Sequence, residues 1–332
     1  MHFSKKNILI AGGGGFIGGH LVKRLLENNN NVVVADIKPK KYWFQYFNKA
    51  KNFNLCDLKE FHNANKVTKN IDYVFNMACN MGGMGFIENN KAECMLSVLI
   101  NTNLLRASLM NKVKKFFFSS SACVYNVSKQ SKTFIKGLKE EDAYPAMPED
   151  GYGWEKLFSE RMCRHFKEDF GLEVRIARYH NVYGTFGTYY GGREKAPAAL
   201  CRKIIECKSK NKKYLEIWGD GKQTRSFLYI DDCIDGTLKL FQSNYSEPLN
   251  IGSDEQVSIN KMADLIKSIS GIYPKNKFLL NKPKGVRGRS SNNKNAYKIL
   301  KWRYKVSLED GLSRTYNWIF SSMKNRNKKF IR

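Results

Sequence analysis

Short apolar runs alternate with stretches of helical periodicity along the first half of this chain. A short apolar run predicts a buried strand, whereas apolar positions that recur every three or four residues predict an amphipathic helix. Their alternation is typical of parallel strands joined by crossover helices. The predicted strands cover residues 7–11, 31–35, 54–57, 73–77, 115–119 and 173–179.

The longest helical patterns lie at residues 88–111, which predict one crossover helix, and at residues 152–169. We therefore expect an α/β fold with a Rossmann-type, doubly wound parallel sheet and a smaller C-terminal lobe. A basic tail follows the last predicted helix. Shorter helices are predicted at 20–27, 58–70, 193–206, 231–241, 258–270, 293–301 and 308–322, and further strands at 214–218, 223–227 and 248–252.

A glycine-rich turn follows the first predicted strand. Gly12, Gly15 and Gly18 fit the spacing G-x-x-G-x-x-G, with Phe16 and Ile17 just before the last of them. Glycines at such a turn let the backbone approach a pyrophosphate, whose charge is stabilised by the N-terminus of the following helix. The turn therefore predicts a dinucleotide-binding site.

Acidic residues close the next two predicted strands. Asp36 follows the second strand directly, and a carboxylate at this place binds ribose hydroxyls and repels a 2′-phosphate. This arrangement favours NAD over NADP. Asp57 and Leu58, at the end of the third strand, could meet the adenine.

The loop after the fourth strand, residues 78–86, is rich in glycine and methionine. It begins at Ala78 and continues through Met81, Gly82 and Gly83. Loops at the carboxyl ends of parallel strands border the ligand crevice of open α/β sheets. We expect Ala78 beside the cofactor and the rest as a flexible apolar wall, with an ordinary connecting loop as the alternative.

Tyr152 and Lys156 are the residues around which the predicted chemistry is organised. A helix brings positions four apart onto one face, so the phenol and the ammonium point the same way. The ammonium is expected to lower the pKa of the phenol. A phenolate could then take a proton from a sugar hydroxyl while hydride leaves the same carbon. The alternative is a Tyr and Lys pair on a solvated helix.

The fifth predicted strand ends in the sequence S-S-S-A-C, residues 119–123. The strand should open towards the cofactor here, so the Ser121 hydroxyl could bind the reacting sugar oxygen. Cys123 lies in a loop after the strand end rather than within a strand. Both a reactive thiol and a buried core thiol remain open for it.

Composition restricts the class of protein. The 332 residues are 42% hydrophobic and 13% aromatic, which is sufficient for a globular core. The eight cysteines have no C-x-x-C spacing, and the five histidines are dispersed, so we expect no metal site and a reducing, cytoplasmic compartment. No apolar run approaches the roughly 20 residues of a membrane span. The N-terminal apolar run leads straight into glycines, unlike a signal peptide.

The net charge of +27 is the most unusual bulk property. A basic lobe can bind nucleic acid, and a scaffold that binds NAD and nucleic acid is the non-enzymatic alternative. However, the sequence holds no nucleic-acid recognition motif, and its lysines alternate with asparagines in surface-like positions. We expect solvated basic faces and a small anionic substrate, without nucleic acid or membrane partners.

With these motifs, the chain resembles the extended short-chain dehydrogenase/reductase family, in its NAD-dependent epimerase/dehydratase group. The similarity is strongest to members that epimerise GDP-mannose at C3 and C5. Its most specific stretches are C-N-M-G-G-M-G-F-I (79–87), S-S-A-C-V-Y (120–125), G-G-R-E-K-A-P-A-A (191–199), W-G-D-G-K-Q-T-R-S-F (218–227) and G-V-R-G-R (285–289).

The resemblance implies NAD-dependent epimerisation of a GDP-hexose at C3, C5 or both, through a transient 4-keto sugar. It implies that Tyr152, Lys156 and Ser121 carry the redox step at C4, and that Cys123 and Lys195 exchange protons at C3 and C5. The residues implied to hold the substrate are Met81, Gly82, Gly83, Ser121, Ala122, Cys123, Asn181, Glu194, Lys195, Ala196, Lys203, Gln223, Thr224, Arg225 and Arg289.

This chemistry requires two proton-transfer groups, because a ring C–H becomes acidic only beside a ketone and inversion delivers the proton from the opposite face. The pKa values of a thiol and a lysine must both approach neutrality for this work. We expect burial to lower the pKa of Lys195, and its charge to favour the thiolate of Cys123.

One departure from the family lies close to the cysteine, where Tyr125-Asn126-Val127 replaces the usual Tyr-Pro-Glu. It leaves a different GDP-sugar, such as a GDP-heptose, open as the substrate. A 4-epimerase or a 4,6-dehydratase that uses only Tyr152 and Lys156 is a further alternative. A dehydratase would need an acidic residue where this chain has Ala122 and Cys123.

The predicted division of the chain follows from the sheet. Residues 1–182, with returns near 226–256, should form the NAD-binding domain, and residues 183–225 and 257–332 the lobe that binds the nucleotide sugar. Family members usually dimerise through paired helices, so the resemblance implies a homodimer.

Overall fold

The computed structural model of the chain describes residues 3–329, with side chains to residue 325. The strands are β1 (Asn7–Ala11), β2 (Asn31–Asp36), β3 (Lys51–Asn54), β4 (Tyr73–Asn76), β5 (Lys115–Ser121), β6 (Glu173–Tyr179), β7 (Val182–Tyr183), β8 (Tyr214–Trp218), β9 (Thr224–Ser226), β10 (Leu228–Tyr229), β11 (Leu249–Ile251), β12 (Gln256–Ser258), β13 (Lys275–Leu279) and β14 (Gly288–Arg289). The helices are α1 (Phe16–Glu27), α2 (Phe61–Thr68), α3 (Met84–Asn89), α4 (Lys91–Met95), α5 (Ser97–Met110), α6 (Tyr152–Phe170), α7 (Ala196–Ser209), α8 (Ile230–Gln242), α9 (Ile259–Ser270), α10 (Lys294–Leu300) and α11 (Leu308–Lys329).

The central sheet contains seven parallel strands in the order β11-β6-β5-β4-β1-β2-β3. The chain runs outward from β1 to β3 and then returns to the other side of β1 as β4. This reversal opens a crevice at the carboxyl ends of β1 and β4, which is where open α/β sheets bind ligands. The prediction of a doubly wound Rossmann-type sheet is confirmed.

The sheet is buried on both faces. Along β1, Ile8 and Ile10 belong to one apolar cluster and Leu9 to another, because successive side chains of a strand point to opposite faces. Helices α1 and α8 pack on the first face, and α2, α5 and α6 on the second. This double burial explains why the strands read as continuous apolar runs.

Several predicted elements are wrong in their bounds. The first helix begins at Phe16 rather than at residue 20, and the helix predicted over 193–206 begins at Ala196. The third strand is β3, three residues earlier than residues 54–57, because Leu55 has a positive φ of 57° and turns the chain out of the sheet. The single crossover helix over 88–111 is three helices, α3, α4 and α5. The backbone of Asn90 leaves the helical region between the first two of them, and its side chain bonds the Phe86 carbonyl.

The C-terminal part adds small sheets beside the central one. β9 lies between β12 and β14, and this pairing sets Arg289 opposite Arg225. The G-V-R-G-R stretch, residues 285–289, thus ends in a short strand. Helix α11 extends into the predicted basic tail, and residues 330–332 of that tail lie outside the described residues. Within the described residues, no helix is both long and apolar enough to cross a bilayer.

Candidate active site

A cleft of about 710 Å³ runs along the carboxyl ends of β1, β2, β4 and β5. It gathers nearly every residue that the sequence predicts for the cofactor, together with part of the predicted catalytic set. The predicted residues that line it are Gly12, Gly15, Phe16, Ile17, Gly18, Asp36, Asp57, Leu58, Ala78, Met81, Ser121, Tyr152 and Lys195.

The glycine turn leaves no room for side chains. Gly12 has a φ of +79°, and a Cβ atom on it would lie 2.8 Å from the backbone nitrogen of Ala78. A Cβ atom on Gly18 would lie 2.3 Å from the carbonyl oxygen of Gly12. Helix α1 begins at Phe16 without a side-chain cap, so the N–H groups of its first turn can bind an anion. This geometry fits the pyrophosphate of a dinucleotide.

The carboxylate of Asp36 lies in the cleft at the end of β2. It accepts the backbone N–H of Lys38 at 2.8 Å, and burial raises the pKa of Asp36. The Lys38 ammonium donates to the Gly14 carbonyl oxygen at 2.8 Å. Ribose hydroxyls that donate to Asp36 would offset the cost of burying it, so this end of the cleft fits the adenosine half of NAD.

The predicted redox pair occupies the first turn of α6. Tyr152 and Lys156 are both buried, and Nζ of Lys156 lies 5.6 Å from the centre of the Tyr152 ring. Burial raises the pKa of Tyr152 well above its ordinary value, and the neighbouring Cys79 and Cys123 reinforce this. The expected lowering of the phenol's pKa is therefore wrong in this structure. The Lys156 ammonium instead pairs with the Glu155 carboxylate at 3.4 Å.

Ser121 and Cys123 lie where β5 ends. The Ser121 Oγ accepts the backbone N–H of Cys123 at 3.2 Å and lines the cleft. Cys123 does not line the cleft; it belongs to an apolar cluster with Tyr152, against which Cys79 packs. Ala122 packs into a different cluster. The strand end thus places the thiol directly beside the phenol.

The surroundings of Cys123 favour a thiol. Burial, reinforced by Glu149, raises the pKa of Cys123 to about 11, although Arg289 opposes this. Nη1 of Arg289 donates to the Cys123 sulfur at 3.5 Å. Positive charge does favour the thiolate, but the expectation that the pKa of Cys123 approaches neutrality is wrong, because burial outweighs the nearby cation.

Glu149 is the residue of this site that the sequence analysis missed. Its Oε1 lies 3.1 Å from Nη2 of Arg289, and both side chains are buried. Burial alone would raise the pKa of Glu149, but Arg289 lowers it below its ordinary value. The available signal was an acidic residue three positions before Tyr152, in a segment with Pro145 and Pro148 that reads as a surface loop.

Lys195 stands directly before α7, whose first turn contains Pro197. It lines the cleft, and burial within the surrounding protein lowers the pKa of Lys195, as the sequence analysis expects. Cys123 is close enough for its charge to oppose this shift.

Gly82 and Gly83 allow two loops to pack backbone against backbone. The Gly83 N–H donates to the Arg193 carbonyl oxygen at 3.1 Å, and a Cβ atom on Gly83 would lie 2.4 Å from the carbonyl oxygen of Glu194. A Cβ atom on Gly82 would lie 3.2 Å from the Cα of Arg193. The packing brings Met81 of the first loop to the same cleft as Lys195.

The remaining residues predicted for the substrate lie outside the cleft lining, and several bond the protein itself. Asn181 donates to the Ser226 carbonyl, Lys203 to Glu216 and Gln223 to Trp218, each at 3.0 Å. Arg225 and Arg289 are both buried and adjacent through the β9–β14 pairing. The predicted substrate residues outside the lining are Gly82, Gly83, Ala122, Cys123, Asn181, Glu194, Ala196, Lys203, Gln223, Thr224, Arg225 and Arg289.

Among the described residues, no group of three or more His, Cys, Asp or Glu side chains is arranged to hold a metal ion.

The sequence of this chain matches a known protein family. The sequence profile of the "NAD dependent epimerase/dehydratase family" matches residues 8–252. The chain is 46% identical to a GDP-mannose 3,5-epimerase of Arabidopsis thaliana over 83% of this chain and 72% of that protein.

Solved structures of two epimerases have the same fold as this chain. A UDP-glucose 4-epimerase of Thermotoga maritima superposes with a TM-score of 0.85 at 25% identity, covering 96% of this chain and 99% of that one. A UDP-glucuronic acid 4-epimerase of Bacillus cereus, solved with UDP-glucuronic acid and NAD, superposes with a TM-score of 0.78 at 28% identity, covering 96% and 99%. The chain belongs to the NAD-dependent epimerase/dehydratase family.

Proposed function

We propose that this protein is an isomerase that epimerises GDP-mannose at C3 and C5 through a transient 4-keto sugar. The observation that carries the proposal is the juxtaposition of Cys123 with Tyr152 in one apolar cluster, with Lys195 lining the same cleft as Tyr152. A redox pair alone serves a 4-epimerase, whereas a thiol and an amine beside it serve proton exchange at neighbouring ring carbons. The identity to a plant GDP-mannose 3,5-epimerase supports the same conclusion.

NAD would be held by the glycine turn at Gly12, Gly15 and Gly18, by Asp36 at the ribose, and by Tyr152 and Lys156. When bound, NAD supplies the hydride acceptor and donor that makes C4 a ketone for part of each turnover. No net oxidation results, so the cofactor should remain bound between turnovers.

The protein groups have separate tasks in this proposal. The Tyr152 hydroxyl exchanges the proton of the sugar's C4 hydroxyl, assisted by Ser121, and the buried Lys156 ammonium fixes the phenol and the cofactor. Cys123 and Lys195 exchange protons with C3 and C5 from opposite faces of the ring. General acid–base groups of this kind typically contribute about 10²–10⁴-fold to a rate.

The nucleotide half of the substrate would bind towards the C-terminal part. Arg225 and Arg289 are adjacent, buried and cationic, which suits a diphosphate. Asn181, the backbone at Glu194 and Ala196, Lys203 and Gln223 would complete this site. Cys123 and Arg289 are in contact in this structure, so the hexose would bind in the space next to these two side chains.

The test is incubation with GDP-mannose in deuterated water, with the product sugars identified by NMR. The account predicts deuterium at C3 and C5 and new epimers, without added NAD if the cofactor co-purifies. Tyr152→Phe is the control that should remove all exchange. Inversion at C4 without deuterium at C3 or C5 would identify a 4-epimerase and refute the proposal.

Residues 1–182, with returns near 226–256, would bind NAD, and residues 183–225 and 257–332 would bind the nucleotide sugar. The place of β11 in the central sheet supports this division.

A homodimer would form through α5 and α6, where Leu99, Trp154 and Phe158 are exposed. Sedimentation of wild type and Leu99→Glu tests the dimer.

A reducing, cytoplasmic compartment is supported by eight unpaired cysteines.

A further inference from the structure

Arg193 is an exposed cation at the opening of the cleft, and the proposed reaction gives it no task. It lies in the loop of residues 184–195, which joins β7 to α7, and contacts the loop of residues 77–83 after β4. Both loops line the cleft, through Arg193 on one side and through Asn80 and Met81 on the other. The Arg193 side chain therefore lies between the cleft and solvent.

The guanidinium of Arg193 ties the two loops together. Its Nη1 atom donates to Oδ1 of Asn80 at 2.8 Å and to the carbonyl oxygen of Met81 at 3.2 Å. Its Cζ atom lies 3.8 Å from the centre of the Phe86 ring, which belongs to α3. A planar guanidinium can stack on a ring and donate hydrogen bonds at the same time, which the compact ammonium of a lysine does poorly. We call these contacts the Arg193 bridge.

The main chain reinforces the Arg193 bridge. The Arg193 carbonyl oxygen accepts the Gly83 N–H at 3.1 Å, so the backbone and the side chain of Arg193 both bind the loop after β4. Immediately before Arg193, Gly191 and Gly192 are exposed, and nothing lies within 4 Å of a Cβ atom on either. The contacts of Arg193 therefore hold this part of its loop at the cleft.

A second cation lines the cleft near Arg193. The Lys38 ammonium lies against the glycine turn, where it donates to the Gly14 carbonyl oxygen at 2.8 Å. Burial lowers the pKa of Lys38, and Arg193 is close enough to reinforce this, although Asp36 opposes it. Like charges at close range destabilise each other, so an anion between Arg193 and Lys38 would be favoured.

Two nitrogen atoms of the Arg193 guanidinium are available to a ligand. Within the described residues, Nε and Nη2 donate no hydrogen bond, and no carboxylate forms an ion pair with this side chain. Nη1 anchors the group, so these remaining donors are held in place at the cleft. A guanidinium with free N–H groups matches a phosphate, which accepts paired hydrogen bonds. In NAD, the negative charge resides on the pyrophosphate.

We propose that Arg193 binds the pyrophosphate of NAD from the open side of the cleft and thereby retains the cofactor between turnovers. The bridge to Asn80, Met81 and Phe86 holds the guanidinium in position for this task. NAD is the cofactor of the family to which the chain belongs, so the inference does not depend on which sugar is the substrate.

The test measures how fast NAD leaves the purified, NAD-loaded protein. The protein is loaded with isotopically labelled NAD, mixed with an excess of unlabelled NAD and sampled over time by rapid desalting. Arg193→Met keeps an unbranched apolar chain beside Phe86 but removes the guanidinium. Release from this variant should be about tenfold faster than from wild type, equivalent to about 1.4 kcal/mol of binding. An unchanged release rate overturns the proposal.

Arg303→Met is the matched control. Arg303 is also exposed, and its Cζ atom lies 4.1 Å from the centre of the Tyr297 ring, but neither residue lines the cleft. The variant therefore removes one stacked surface cation elsewhere on the molecule and should release NAD at the wild-type rate. If it accelerates release as much as Arg193→Met, the loss of net positive charge is the cause and the proposal is overturned.

The salt dependence of release distinguishes a phosphate contact from a merely structural bridge. Salt screens the attraction between exposed charges. Raising the NaCl concentration should therefore speed NAD release from wild type more than from Arg193→Met. Faster release from the variant with an unchanged salt dependence would show that Arg193 only braces the two loops, and would overturn the proposal.

Arg193→Lys tests whether the bridge positions the charge. The lysine keeps the positive charge but loses the planar group that stacks on Phe86 while it bonds Asn80 and Met81. Its NAD release rate should lie between those of wild type and Arg193→Met. Release at the wild-type rate would overturn the role of the bridge. If the protein epimerises no GDP-mannose, the proposed function fails, while the release rates still decide whether Arg193 retains NAD.

Discussion

The Nη1 atom of Arg289 donates to the sulfur of Cys123 at 3.5 Å, although 166 positions of sequence separate the two residues. The contact exists because β14 pairs with β9 at the edge of the C-terminal part, while Cys123 lies where β5 of the central sheet ends. The proposed proton-transfer site is thus shared by both of the proposed parts of the chain.

Gly12→Ala should empty the cofactor site. The new Cβ atom would lie 2.8 Å from the backbone nitrogen of Ala78, at a φ of +79° that also strains any other residue. We expect the NAD content of the purified protein to fall roughly tenfold or more, equivalent to about 1.4 kcal/mol of binding. NAD released by denaturation and quantified by chromatography measures this.

Gly171→Ala is its control. Gly171 has a similar φ of +71°, but nothing lies within 4 Å of a Cβ atom there. It should cost about 1–2 kcal/mol of stability through backbone strain and leave the NAD content unchanged. Equal NAD losses in the two variants would show that strain, rather than the close approach to Ala78, governs the site.

Lys156→Met should destabilise the protein as well as disable it. The ammonium lies 3.4 Å from the Glu155 carboxylate, and both side chains are 1% exposed. Removing one partner leaves the other charge buried and unpaired, which costs roughly 3–5 kcal/mol. Urea unfolding, with the NAD content recorded for each variant, measures the loss.

The double variant Lys156→Met with Glu155→Gln completes the cycle. It should be more stable than the sum of the two single losses predicts, with a coupling of about 0.5–3 kcal/mol. Strict additivity would mean that the two charges do not compensate each other.

His180 should make the protein less stable in mild acid. Its ring is fully buried beside Asn250, and burial, with Arg289 and Arg178, lowers the pKa of His180 from 6.5 to about 3. Because the folded-state pKa lies below the unfolded one, this contribution is complete above pH 6.5 and is lost as pH falls towards 3.

Between about pH 7 and pH 5, the loss from His180 should amount to roughly 2 kcal/mol. Urea midpoints of wild type and His180→Gln across this range measure it, and the variant should lose less stability than wild type on acidification. Parallel pH dependences in the two proteins would exclude His180 as the cause.

The sheet and the cofactor edge could be predicted from local pattern. Gly12 to Gly18 and Asp36 are adjacent to strands whose apolar runs are unambiguous, so their positions follow from strand order alone. The β3 boundary could not be predicted, because Leu55 is an apolar residue that the backbone turns outward. Asn90 likewise interrupts a helical pattern through a local side-chain bond.

The proposed proton-transfer site was only partly predictable, because its electrostatics depend on distant segments. Cys123 and Lys195 could be named from their motifs, but the electrostatics around them depend on contacts from distant segments. Burial raises the pKa of Cys123 to about 11, and Glu149, which lies in a loop that reads as solvated, reinforces the shift. The sequence therefore identified the thiol, but the direction in which its surroundings shift the pKa of Cys123 could not be predicted from it.

The central claim is that Cys123 and Lys195 exchange protons across the ring while C4 is a ketone. Its most direct test measures the epimerisation at C3 and C5 that the Cys123→Ala variant still catalyses. The variant should be incubated with GDP-mannose, the epimers quantified by NMR, and the 4-keto sugar trapped by chemical reduction. The account predicts that inverted products fall about 10²-fold or more while the 4-keto sugar is still formed. Inverted products at the wild-type rate would contradict it.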